Sequence, residues 1–193
     1  MKADFTIVVF SADKSGVLHR VTTGFTKRHI NIESLTVCKC EVPGISRYTI
    51  VVHLEEEAVA KLCKSLEKQI DVYTVIYYDP EQIVFQELAL IKVATKDLGV
   101  KPDQRVILNH HARVIAIEPE YMVVEKVGTS EQIESLYNDL TQYGVLEFVQ
   151  SGRVAIAKPM NELKDILSEL KLASATNLTN RNSQLTSTSL AQK

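Results

Sequence analysis

Apolar residues recur along this chain with two different periods, and the changes of period mark out its elements. From Phe5 to Phe10 a β-branched and aromatic run of strand length ends at the polar break Ser11-Ala12-Asp13-Lys14-Ser15-Gly16. Leu18, Val21 and Phe25 then fall at i, i+3 and i+7 on one helical face, and Lys27 and Arg28 follow where cations suit the helix dipole. Asn31 to Cys40 and Ile45 to Leu54 read as two strands joined by the turn residues Val42-Pro43-Gly44. In the second strand Tyr48, Ile50, Val52 and Leu54 alternate with Thr49, Val51 and His53, so its less apolar face is expected to be partly buried as well. Glu55-Glu56-Glu57 places anions at a helix start, Val59, Leu62, Leu66 and Ile70 supply the apolar stripe, and Val72 to Tyr78 makes a fourth strand.

The order β-α-β-β-α-β predicts an α+β fold: a ferredoxin-like antiparallel sheet with two helices on one face. A weaker second copy follows. Gln86 to Ala94 is strand-like, Lys101 to His110 is a poor helix, and Ala112 to Ile117 and Tyr121 to Val127 form a hairpin around Glu118-Pro119-Glu120. Thr129-Ser130-Glu131-Gln132 has the pattern of a capping box before the stripe Ile133, Leu136, Tyr137 and Leu140, and Gly144 to Ala157 ends the copy. The expected organisation is therefore two tandem βαββαβ domains, 1–79 and 86–158, joined by a linker over 80–85 that opens with Asp79-Pro80-Glu81-Gln82. In the remainder, 159–193, Glu162 to Leu172 reads as a short helix, and the rest is polar and expected to be disordered.

Composition narrows the partners. With 45% hydrophobic and 24% charged residues and a net charge of -2, the chain reads as a soluble globular protein without the basic footprint of a nucleic-acid binder. Its N-terminal residues form neither a secretory h-region nor the roughly 20 apolar residues of a membrane span, so a cytoplasmic, membrane-free protein is expected. Cys38, Cys40 and Cys63 have neither disulfide-framework nor zinc-ribbon spacing, which fits a reducing compartment and predicts no metal site.

The sequence contains no Gly-rich phosphate loop, nucleophile elbow or metal-ligand cluster, so no catalytic residue is expected. His110-His111 read as a solvated pair without a companion carboxylate nearby in sequence. Asp13 to Gly16 offers more, because it feeds a helix whose first N–H groups are unpaired and suit an anion such as a carboxylate, while Gly16 admits close approach. Asn31, carrying amide donor and acceptor, is expected near the same end of the sheet. The spacing fits at least as well a simple helix cap from Asp13 or Ser15, with Gly16 easing the turn and Asn31 tolerating a left-handed backbone.

The run Asp13-Lys14-Ser15-Gly16-Val17-Leu18-His19-Arg20-Val21 resembles the opening loop and helix of an ACT domain, a small amino-acid-binding module. Asn31-Ile32-Glu33-Ser34-Leu35-Thr36-Val37, Ser46-Arg47-Tyr48-Thr49-Ile50-Val51 and Asp71-Val72 resemble the acetolactate synthase (acetohydroxyacid synthase) small-subunit family in particular. Glu87-Leu88-Ala89-Leu90-Ile91-Lys92-Val93, and Tyr143-Gly144-Val145 through Ser151-Gly152-Arg153-Val154-Ala155, look like that family's C-terminal domain. The resemblance implies a homodimer through N-terminal ACT domains that binds a branched-chain amino acid, with valine first and leucine or isoleucine as companions. The implied contacts are Asp13, Gly16, Val17 and Leu18 from one chain with Asn31 and Ile32 from the other. The family usually carries Asn where Asp13 stands; a carboxylate there can hold the ligand's ammonium but cannot donate to its carboxylate.

The same resemblance implies a non-catalytic regulatory subunit that activates a catalytic large subunit and confers feedback inhibition. Thiamine diphosphate, magnesium and FAD would reside in that partner and no cofactor in this chain. The alternative is a free-standing double-ACT amino-acid sensor acting on another enzyme. An RNA-binding sheet would need exposed aromatics, and the central strands offer a lone Tyr48.

Overall fold

The computed structural model describes residues 2–95 and 104–158. The first unit contains β1 (Ala3–Ala12), α1 (Val17–Thr26), β2 (Ser34–Lys39), β3 (Ile45–Leu54), α2 (Glu56–Leu66) and β4 (Val72–Tyr78), and its sheet runs β2-β3-β1-β4. Every pairing is antiparallel, as the sequence predicts for a ferredoxin-like sheet. β1 is paired on both edges, and the helices cover one of its faces while Arg153 reaches Thr6 on the other; eight successive residues from Phe5 to Ala12 are buried. Phe5, Ile7 and Val9, with Tyr48, Ile50 and Val52 of β3, pack against Val17, Val21 and Phe25 of α1 and Val59, Leu62 and Leu66 of α2. The opposite face is buried too, at Thr6, Val8, Phe10, Thr49 and Val51, while His53 stays exposed.

α2 stops at Leu66, shorter than its sequence pattern. Ile70, expected in the apolar stripe, is 78% exposed because the chain turns at Glu67–Gln69 and Asp71 takes a φ of 69° before β4. α1 ends at Thr26, and Arg28 reaches back to donate to the Gly24 carbonyl at 3.0 Å, satisfying a helix-end acceptor.

Asp79-Pro80-Glu81-Gln82, expected as a plain linker, is a capped 3-10 turn: the Asp79 carboxylate accepts from the Glu81 and Gln82 amides, and Gln82 Oε1 accepts from the Asp79 N–H. Residues 83–85, placed in the linker by sequence, instead begin β5 (Ile83–Ala94). The second unit continues with α3 (Gln104–Asn109), β6 (Arg113–Ile117), β7 (Tyr121–Gly128), α4 (Ser130–Thr141), β8 (Val145–Gln150) and β9 (Val154–Ala157). Its sheet repeats the order of the first, β6-β7-β5-β8, with β9 pairing the start of β5. Ile91, Val93, Met122 and Val124 pack against Leu136 and Leu140 of α4. Thr129 and Gln132 form the predicted capping box.

Gly144 to Ala157, read from sequence as the segment that ends the copy, forms two strands with a break at residues 151–153. Ser151 explains the break, since its hydroxyl, rather than a main-chain carbonyl, accepts the Leu88 N–H at 3.0 Å, while its own N–H reaches Leu88 O at 2.8 Å. Among the described residues no helix is long and apolar enough to cross a membrane. The poor helix expected from Lys101 begins outside the described residues, as does the whole segment 159–193 with its expected helix and tail.

Candidate functional site

The loop between β1 and α1 is held by main-chain bonds on both sides. Asp13 N–H donates to Gly44 O of the β2–β3 turn at 2.9 Å, and Ala12 N–H donates to Asp71 O at 2.8 Å. The Asp71 carboxylate pairs with Arg20 at 2.8 Å and Lys14 at 3.4 Å, tying the first turn of α1 to the start of β4. Asp71 was quoted in the resemblance with no role attached; its left-handed φ and its distance from the loop in sequence hid the contact.

Gly16 occupies the N-cap of α1 with φ 83° and ψ -12°, a left-handed conformation that costs a side-chain-bearing residue about 1–2 kcal/mol. No side chain caps this helix. The simple-cap reading is thereby corrected: the Asp13 carboxylate turns away to accept from Ser46 Oγ at 3.0 Å and to pair with Lys39 at 3.6 Å. The helix start is left as a row of main-chain N–H groups with partial positive charge, the ordinary setting for an anion. Val17 is fully buried in the core and Leu18 beside it is 43% exposed, so one anchors the site and the other faces outward.

Asn31 and Ile32 lie elsewhere. The Asn31 side chain is exposed and donates to Glu33 Oε1 at 2.8 Å, and Ile32 is half-buried against the core. The expectation that Asn31 sits near the same end of the sheet as Gly16 is wrong within one chain. Ser34, just beyond Asn31, stands opposite Val51, which stands opposite Thr6, whereas the Gly16 loop follows Ala12, opposite Ile45. Six residues of strand separate those levels, about 20 Å. The reason is α1, which carries the chain back along the sheet before β2 begins. One protomer thus groups Asp13, Gly16, Val17 and Leu18, and a single site that also contains Asn31 and Ile32 needs a second protomer.

Other expected features resolve quietly. His110 has a companion carboxylate, though none nearby in sequence: Asp139 of α4, 29 residues away, lies 2.7 Å from its Nε2. Cys63 is buried, with its thiol pushed up to about 12 by desolvation, while Cys38 is exposed. Among the described residues no cluster of His, Cys, Asp and Glu is placed to hold a metal.

Three comparisons with known proteins bear on the family and the fold. Residues 7–74 match the family model described as an AHAS small subunit-like ACT domain, and residues 86–159 match that of the small subunit of acetolactate synthase. The acetolactate synthase small subunit of Bacillus subtilis is 42% identical over 159 residues, 82% of this chain and 91% of the relative. That of Mycobacterium bovis is 39% identical over 154 residues, 79% of this chain and 91% of its own length. The crystal structure of the acetolactate synthase small subunit from Thermotoga maritima superposes with a TM-score of 0.75 at 28% identity, covering 82% of this chain and 99% of that one. With family models matching residues 7–74 and 86–159 and a relative 42% identical over 91% of its length, the chain belongs to the acetolactate synthase small-subunit family.

Proposed function

We propose that this chain is a regulatory subunit that binds a branched-chain amino acid, valine foremost, activates an acetolactate synthase catalytic subunit and lets the bound amino acid inhibit it. The observation that carries the reading is the uncapped start of α1 at Gly16, a fixed loop with main-chain donors free of side-chain caps. The ligand's carboxylate sits on those donors. Asp13 faces its ammonium, and Asn31 and Ile32 of a second protomer close the site, which makes the homodimer the effector-binding unit. Leu18, apolar and 43% exposed, supplies contact for an aliphatic side chain and favours such a ligand over a polar amino acid.

Acetolactate chemistry, with its thiamine diphosphate, magnesium and FAD, belongs in this proposal to the catalytic partner. The ligand acts by binding two states of the complex with different affinity and shifting the balance toward the less active one. The test is reconstitution with the cognate large subunit and measurement of acetolactate formation with and without valine, leucine and isoleucine. Several-fold activation that one or more of the three reverses is the expected result. A large subunit indifferent to this chain would overturn the reading.

A further inference from the structure

The two sheets of the chain meet through a buried ionic seam. Arg153, in the break between β8 and β9, and Glu87 on β5 are each 7% exposed. Arg153 Nη1 donates to Thr6 Oγ1 of β1 at 3.0 Å, its Nε lies 3.6 Å from Glu87 Oε1, and its guanidinium carbon stands 3.8 Å from the centroid of the Phe85 ring. Glu87 also accepts from Ser130 Oγ at 2.8 Å and from Gln150 Nε2. A few residues on, the Ala155 carbonyl of β9 accepts from Arg47 of β3. Gly152 fits so tightly that an added Cβ would stand 2.5 Å from Thr36 Oγ1 and 3.2 Å from the Leu35 carbonyl, both on β2.

An apolar seam tolerates sliding, whereas a buried arginine requires its partners in place, because a desolvated charge left half-paired is destabilising. Arg153 Nε lacks a well-formed hydrogen bond, as do the buried hydroxyls of Ser34 and Thr36 on the facing strand. These incompletely paired groups and Gly152 set β2 directly against the seam. β2 is also the strand that Asn31 and Ile32 lead into. The Asn31 amide is spent on Glu33, and Glu33, Ser34 and Leu35 line, together with Glu87 and Arg153, a cleft of about 720 Å³ between the two domains.

We propose that Arg153 is a positioning residue for feedback. It docks the C-terminal domain onto β1 while Gly152 beside it abuts β2, so that a ligand taking the Asn31 amide from Glu33 shifts β2 against Gly152 and the C-terminal domain follows. This rests on the branched-chain amino acid reading above, and each effector site then signals to the C-terminal domain of the protomer that supplies Asn31. Arg153 stands outside the effector site, so binding and response separate at this residue.

Three variants of the full chain test this in complex with the catalytic subunit: Arg153→Lys keeps the charge but loses the fork, Thr6→Val removes one hydroxyl at nearly constant volume, and Thr6→Ser restores it. Valine affinity is measured by calorimetry and inhibition by the acetolactate assay. For Arg153→Lys and Thr6→Val, affinity should stay within about 2-fold while the inhibition reached at saturating valine falls at least about 5-fold, and Thr6→Ser should return to wild type. Unchanged inhibition in both, or affinity and inhibition falling together, overturns the proposal. Should Arg153→Lys fail to fold, the Thr6 pair decides alone. A wild-type complex unaffected by all three amino acids removes the effector reading itself and this proposal with it, an outcome separate from the variants' behaviour.

Discussion

Gly16 concentrates two demands on one residue, a left-handed backbone and an approachable row of N–H groups. Replacing it with Gln imposes roughly 1–2 kcal/mol of backbone strain and sets a side chain over the helix start. The expected outcome is a folded activator whose valine inhibition midpoint rises at least about 10-fold, equivalent to a loss of about 1.4 kcal/mol in ligand binding. Asn31→Ala should weaken inhibition similarly, since a hydrogen bond to a charged group contributes about 1.5–3 kcal/mol. Asp13→Asn should keep or sharpen inhibition. As Asp13 caps no helix in this structure, a change there reports on the ligand, on the hydrogen bond from Ser46, which an Asn carbonyl can still accept, and on the exposed pair with Lys39, which contributes about 0–1 kcal/mol. Inhibition curves for valine, leucine and isoleucine on the reconstituted complex check all three, and three wild-type curves would place the effector elsewhere.

Between elements, α1 crosses α2 at close range. A Cβ on Gly24 would stand 2.7 Å from Leu66 Cδ2 and 3.1 Å from Gln69 Nε2, and Leu66 is fully buried. Alanine is a better helix former than glycine by about 1 kcal/mol, but overpacking a close contact costs typically about 1–3 kcal/mol. Gly24→Ala should therefore lose about 1 kcal/mol net, read as a lower urea midpoint with an unchanged slope. A higher midpoint would show that the helix pair has slack. The same scale explains why β2 is shorter than its sequence run: only Ser34–Lys39 pair with β3, and residues 31–33 lead in with a single main-chain bond from Glu33 N–H to Val51 O. That leaves Asn31 exposed at the margin of the sheet, available to a neighbouring chain.

For the whole molecule, the proposed site, divided between the Gly16 loop and Asn31 about 20 Å apart, predicts that binding requires a dimer. Light scattering at micromolar concentration with valine present should give twice the 21.6 kDa of one chain, and a strict monomer would remove both interface and site. Deleting the Ser-, Thr-, Asn- and Gln-rich residues after Lys171 should leave the dimer intact and Tm within about 2 °C, because such a composition buries too little apolar surface to offset its ordering entropy. A larger drop in a thermal melt would mean that these residues dock.

Local signals were enough for most of the architecture. The β-branched and aromatic run at Phe5–Phe10, the alternation within Ile45–Leu54, the helical stripe from Leu18 to Phe25 and the Thr129–Gln132 box each depend on neighbours within a few residues, so they are legible one at a time. The Asp13–Gly16 loop and the Asn31 motif were legible as well, because a left-handed cap and a short amide-bearing lead-in leave their mark in residue type. Tertiary structure alone decided what those residues face: Asp13 turned to Ser46 instead of capping α1, Asp71 gathered Lys14 and Arg20, and His110 found Asp139. It alone joined Arg153 to Thr6, 147 residues apart, and carried Asn31 to the far end of the sheet from Gly16. Pattern and propensity act along the chain, whereas these contacts depend on which strands the sheet order makes neighbours and on which charges the packed domains bury together.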